Sequence, residues 1–267
     1  NNKKLQNSDF AILYRTNSQS QSMEEALRKL NLTYKIVGGL SFYQRKEIKD
    51  LMAYLRFAVN PADEEAFKRI INYPKRGIGD TSVEKILVSA YEHDIPLWDV
   101  VQNANSFLGG RAGVSVDDFS TMIKAFQIEI ERKDAFEAAS SVAKQSGLLR
   151  ELYEDKTIEG LNRYENVQEL LNAIKEYVDN PENEDKSLGA FLQEIALLTD
   201  NDQDKSQSDA ITLMTIHASK GLEFKQVFVV GMEEDLFPSQ MMMQSREDLE
   251  EERRLFYVAS TRAMDKL

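Results

Sequence analysis

Strand-like sequence occurs at two separate places in this chain, with a long helical stretch between them. Near the start, Phe10-Ala11-Ile12-Leu13-Tyr14 and Tyr34–Val37 are short apolar runs that suit extended backbone. The next such runs are Ile211–Ile216 and Gln226–Val230, about 170 residues later. Their β-branched content reads as strands buried on both faces of a parallel sheet. A two-stranded sheet is not stable alone in water, so residues 1–38 and 210–267 are expected to meet in space. The simplest architecture is an α/β domain with a parallel sheet, interrupted by a large all-helical inserted domain over residues 39–209.

The helical stretch carries its own punctuation. Ser22 with Glu25 three residues later reads as a capping box, opening a helix through Leu30. From Arg45 the apolar positions Ile48, Leu51, Met52, Leu55 and Val59 keep helical spacing until Asn60-Pro61. Asp63 caps a short helix bearing Ala66, Phe67, Ile70 and Ile71, and another helix carries Val83, Ile86, Leu87 and Ala90. Further helices are expected over Pro96–Asn103, Val116–Arg132, Ala135–Gln145, Asn162–Val178, Leu188–Leu198 and Glu247–Ala263. The acidic stretches Asp179–Lys186 and Thr199–Asp209 read as loops. Asp265-Lys266-Leu267 reads as the start of another strand running past the chain end, as in a piece of a longer protein.

Composition removes several classes of function. With no cysteine there is no disulfide framework and no thiolate ligand or nucleophile. No apolar run approaches the ~18 residues of a membrane span, and Asn1-Asn2-Lys3-Lys4 leads into no signal-peptide core. A soluble, cytoplasmic protein with no membrane partner is expected. The net charge of −12 is unevenly spread: +5 over residues 1–85, −14 over residues 86–209 and −3 over residues 210–267. An anionic polymer is therefore expected on the N-terminal third and repelled from the middle.

Three groups of residues could carry chemistry. In Lys75-Arg76-Gly77-Ile78-Gly79-Asp80-Thr81, bare glycines let main-chain N–H groups approach phosphates, and a helix N-terminus follows. Such a loop could grip a nucleic-acid backbone without reading sequence, or it could be a corner needing glycine for its geometry alone. Thr215 and His217, with Arg15 and Asn17, sit at strand ends and could donate to phosphates. Arg15 could equally be a solvated turn residue, and a lone histidine is commonly structural. Glu223 could accept from a ribose hydroxyl, although a surface glutamate is the ordinary case. In Glu250-Glu251-Glu252-Arg253-Arg254 the i,i+4 pair of Glu250 with Arg254 is a solvated salt bridge. Arg262 has Val258 four residues before it and so lacks such a partner, leaving it able to reach a phosphate.

Taken together, Tyr14-Arg15-Thr16-Asn17, Phe42–Asp50, Thr215–Phe224 and Glu250–Ala263 follow the order and wording of one family. The chain closely resembles the C-terminal half of superfamily 1 DNA helicases of the UvrD/Rep/PcrA type, most of all the Gram-positive PcrA branch. TIHASKGLEF and EEERRLFYVASTRA carry the resemblance most specifically. It implies a second RecA-like domain, of the P-loop NTPase type but without its own Walker A motif, made of residues 1–38 and 210–267. A helical domain with a helix–hairpin–helix-like duplex-binding loop would be inserted in it. The resemblance makes Arg262 a catalytic arginine finger toward the ATP γ-phosphate and Glu223 the ribose contact. Arg15, Asn17, Thr215 and His217 would hold single-stranded DNA. Lys75, Arg76, Gly77, Ile78, Gly79 and Thr81 would grip the duplex at the single-strand/duplex junction.

By the same resemblance, ATP and Mg2+ belong mainly to an N-terminal RecA-like domain of the same protein. The whole enzyme would move 3′→5′ on DNA in repair or replication, with repair, replication or transcription proteins as further partners. No Gly-Lys-Ser or Gly-Lys-Thr occurs, so the chain alone is not expected to hydrolyse ATP. Two departures stand out: Ser239 follows Phe237-Pro238 where the PcrA branch usually has a DNA-contacting histidine, and Ser260 replaces a usually aliphatic residue. Two other readings are a non-catalytic DNA-binding regulatory module and the equivalent half of a helicase–nuclease.

Overall fold

A computed structural model describes residues 5–200, 209–234, 236–238 and 246–267. Ser239 and most of the acidic stretch Thr199–Asp209 lie outside them. The chain divides into two compact units: residues 1–45 with 198–267, and residues 46–197.

In chain order the elements are β1 (Phe10–Tyr14), α1 (Ser20–Lys29), β2 (Tyr34–Ile36), α2 (Lys46–Val59), α3 (Glu64–Ile70), α4 (Asp80–Glu92), α5 (Leu97–Gln102), α6 (Ala104–Phe107), α7 (Gly110–Ile130), α8 (Ala135–Gln145), α9 (Leu148–Glu154), α10 (Ile158–Asp179), α11 (Leu188–Asp200), β3 (Ile211–Thr215), β4 (Phe224–Val229), α12 (Arg246–Ser260) and β5 (Ala263–Lys266). Helix α7 begins well before the expected Val116, and the short helices α6 and α9 were not foreseen.

The five strands form one parallel sheet in the order β2-β3-β1-β4-β5. The two distant parts of the chain therefore share a sheet, with Tyr14 opposite Thr215 and Leu13 opposite Val229. Side chains alternate across it. Ala11, Leu13, Met214 and Val227 pack under Leu255 and Ala259 of α12, while Tyr14 and Leu213 pack with Leu27 of α1 on the other face. Strand β3 is buried on both faces, as its sequence suggests. Strand β4 is not: Phe228 is 55% exposed and stacks only along the sheet surface on Phe10. Among the described residues, the cluster on the α1 face is built mainly from β1, β2 and β3.

Local capping differs from expectation in an instructive way. Helix α1 starts at Ser20, so Ser22 lies inside its first turn. The capping box belongs to the preceding 3-10 turn, where Gln19 accepts the N–H groups of Arg15 and Thr16 at 2.8 and 3.1 Å. The sheet unit also runs on through Arg45, past the expected boundary near Gly38. Glu24 explains this. Its buried carboxylate accepts from Ser20 Oγ at 2.9 Å, Ser41 Oγ at 2.6 Å and the Phe42 N–H at 3.0 Å. Arg45 in turn donates to Ser20 Oγ at 2.7 Å, which fastens residues 41–45 to α1. Leaving a buried carboxylate without these donors would be costly, so the segment stays with the sheet.

The helical unit has its own core. Phe57, Phe67, Phe119 and Trp98 meet with ring centroids 5.6–6.3 Å apart, in tilted, stacked and edge contacts. Asp63, Asp134 and Thr157 cap α3, α8 and α10 through their side-chain oxygens. A buried hydrogen bond of 2.6 Å from Asn166 of α10 to Glu47 of α2 ties the first long helix to the last but one.

Candidate nucleic-acid interface

The sheet separates the expected contacts by edge. Strands β1 and β3 end together at Tyr14 and Thr215, so Arg15, Asn17, Thr215 and His217 all lie at the carboxyl edge. Strands β4 and β5 begin together at Phe224 and Ala263, which places Glu223 and Arg262 at the amino edge. The crossover Ile216–Glu223 connects the two edges as a chain of turns without a helix.

At the carboxyl edge, Arg15 is not a loose cation. Its Nε and Nη2 bind Glu252 of α12 side-on at 2.8–3.1 Å, and the two side chains are only 11% and 3% exposed. A solvated turn residue is thereby ruled out, and any direct ligand contact is left to Nη1. Thr215 Oγ1 accepts the Ala218 N–H at 3.2 Å, while Asn17 and His217 are exposed. Burial first and the Arg15 guanidinium second hold His217 below its usual 6.5, opposed by Glu251 and Glu252. Glu252 escaped the sequence reading because its partner lies 237 residues away. The pairs on α12 are Arg253 with Glu250 at 3.0 Å and Arg254 with Glu251 at 3.3 Å, not the i,i+4 pair expected for Glu250. Ser260 Oγ turns back to the Tyr257 carbonyl at 2.9 Å.

At the amino edge, Arg262 binds the carbonyls of Leu222 (2.9 Å) and Val258 (3.1 Å) and Thr261 Oγ1 (3.0 Å). Its own carbonyl accepts the Phe224 N–H at 2.9 Å. Glu223 is therefore flanked by two residues bonded to Arg262, and its exposed carboxylate has no partner among the described residues.

The loop of the helical unit separates into inside and outside. Lys75, Gly77, Gly79 and Thr81 are exposed. Ile78 is 0% exposed and faces the core, and its N–H is held by Asn72 Oδ1 at 3.2 Å. Arg76 is engaged inside the unit as well. Its guanidinium points inward to the carbonyls of Ile70, Pro74 and Ser146 and to the Tyr54 hydroxyl, where it also lies against the ring of Phe119. An arginine beside glycines looked free in the sequence because its acceptors come from α2, α3 and the end of α8. Burial pushes the Tyr54 phenol up to about 12, keeping it a neutral donor to the Tyr73 carbonyl at 2.6 Å.

Among the described residues no three His, Asp or Glu side chains are placed to hold a metal ion, and no helix is long and apolar enough to cross a membrane. The family model for the UvrD-like helicase C-terminal domain matches residues 1–267. The chain is 43% identical to the ATP-dependent DNA helicase PcrA of Bacillus subtilis over 97% of its length, and 43% identical to DNA helicase II of Escherichia coli over 97%. It is 42% identical to PcrA of Staphylococcus aureus over 100%. It spans only 36–37% of the length of these relatives. A family match over the whole chain, on a RecA-like sheet with a helical insertion, leads to one conclusion: this chain belongs to the UvrD-like helicase C-terminal domain family.

Proposed function

We propose that this chain is the C-terminal portion of an ATP-dependent DNA helicase that translocates 3′→5′ on single-stranded DNA. The observation that carries the reading is the placement of two unlike groups on opposite edges of one sheet. Arg262 and Glu223 share the amino edge, and Arg15, Asn17, Thr215 and His217 share the carboxyl edge. Helix α12 contacts both groups, through Glu252 near its middle and Arg262 just past its end.

In this reading Arg262 exchanges the carbonyls it now holds for a nucleotide phosphate, and Glu223 accepts from the ribose. ATP would supply the free energy of movement. Its Mg2+ would be held by an N-terminal RecA-like domain of the same protein, because these residues offer no acidic cluster for it. The chain alone would then lack turnover. Lys75 and the main chain of Gly77–Thr81 would hold the duplex at the single-strand/duplex junction. The protein would act in the cytoplasm, in DNA repair or replication.

The test uses the full-length protein with short duplexes carrying a 3′ or a 5′ single-stranded tail. Strand displacement that needs ATP and the 3′ tail is expected. Displacement of the 5′-tailed substrate alone would overturn the direction, and no ATP-dependent displacement of either would overturn the activity.

A further inference from the structure

We infer that Arg76 and Asn72 are positioning residues that hold the main chain of Gly77–Thr81 in the shape a duplex backbone meets, and that Arg76 itself touches no phosphate. The inference rests on the reading of this loop as the duplex contact.

The guanidinium of Arg76 is spent inside the unit. Nη1 donates to the Ile70 and Pro74 carbonyls at 3.0 and 3.1 Å, and Nη2 donates to Tyr54 Oη and the Ser146 carbonyl at 2.5 and 2.9 Å. It also lies 5.7 Å from the ring centroids of both Tyr54 and Phe119. A phosphate could recruit it only by stranding these carbonyls. The planar fork matters here, because one ammonium could not reach four acceptors spread over three parts of the chain.

Asn72 shapes the main chain from the other side. Its Oδ1 accepts the N–H groups of Arg76 at 2.9 Å and Ile78 at 3.2 Å, pinning the residues on either side of Gly77. Gly77 then takes φ +74°, which favours glycine. Gly79 is different. Its φ of −81° suits any residue, and a Cβ there would meet nothing within 4 Å. It occupies the N-cap of α4, where Ser, Asp or Asn would stabilise the helix better. Nothing among the described residues calls for glycine at 79, whereas an external body pressed against the main chain would. The N–H groups of Gly79, Asp80 and Thr81 have no acceptor among the described residues. Lys75, exposed beside them, is left to supply the charge.

Salt dependence tells a charge that touches phosphate from one that holds a loop. The experiment measures binding of a short fluorescent DNA duplex by the 267-residue chain across a salt series. Lys75→Gln should lower the slope of log K against log[salt] by about 0.9 for its lost phosphate contact. Arg76→Gln should weaken binding about tenfold with the slope unchanged, and Arg76→Lys should not rescue it. Asn72→Ala should repeat that pattern, and it keeps the question answerable should the Arg76 variants fail to fold. A slope reduced by about one unit in Arg76→Gln would make Arg76 a phosphate contact and overturn the inference. So would wild-type binding by Arg76→Gln or by Asn72→Ala. Duplex binding untouched by both Lys75→Gln and Gly79→Glu would overturn the duplex reading, and the inference with it.

Discussion

Two arginines that the sequence offers as phosphate contacts are treated differently by the structure. Arg76 follows Pro74 and precedes Gly77 at φ +74°, and Arg262 binds the carbonyl just after Gly221 at φ +88°. Both are held by main-chain carbonyls. Arg76 is held by part-buried acceptors from three parts of the helical unit, with two aromatic rings close by. Arg262 is held by its own helix end and the adjoining loop, at the surface, where water or a phosphate can replace them. A guanidinium becomes a structural clamp or a reagent according to what replaces its partners when it moves.

The largest expected effect breaks the comparison on the Arg262 side. In the full-length enzyme Arg262→Ala should lower the ATPase rate by about 10³-fold or more, as loss of an arginine finger does. Its stability should fall by no more than about 1 kcal/mol, because two of the three hydrogen bonds it loses are exposed and net hydrogen bonds are modest. Turnover and denaturant midpoint measured on the same variant check both halves, and normal turnover would sink the nucleotide role.

A middle-sized effect sharpens the likeness of the two turns. Gly77→Ala and Gly221→Ala should each cost about 1 kcal/mol, because each forces a Cβ into the left-handed region. Gly79→Ala, at an ordinary φ, should leave stability nearly unchanged while still weakening duplex binding. Urea unfolding of the three variants separates these outcomes.

The smallest effect concerns His217, at the opposite edge of the sheet from Arg262. Its folded-state value lies below 6.5, so folding favours the neutral ring. That preference contributes stability above pH 6.5, and the contribution is lost as pH falls through the lowered value. The group is exposed, so solvent screening leaves an effect of a few tenths of a kcal/mol. His217→Gln should flatten the decline in stability between about pH 7 and 5, and an unchanged profile would remove the histidine from the account.

Much of the architecture was legible because it is local. The run Phe10–Tyr14 is a strand over the same residues, and Ala135–Gln145 is a helix with the expected ends. The regathering of two chain ends into one sheet followed from the instability of isolated strands. What escaped depends on distance in sequence. Glu252 meets Arg15 across 237 residues, and the Ser146 carbonyl that helps hold Arg76 is 70 residues away. The sequence analysis did not single out Glu24, and its donors from residues 41 and 42 show why the sheet unit extends as far as Arg45. The family wording named Arg15 and Arg76 as DNA contacts but could not reveal that both guanidinium groups are engaged within the chain.

The sheet order has a consequence for how the molecule comes into being. Strand β3 lies between β1 and β2, so the first two strands of this sheet in chain order are not neighbours. The slot between them stays open until Ile211 emerges, after the whole helical unit has been synthesised. The helical unit can reach its local contacts first, while the N-terminal segment waits with its strand edges unpaired. Nascent chains arrested before residue 211 should therefore hold a folded insertion inside an unfolded frame.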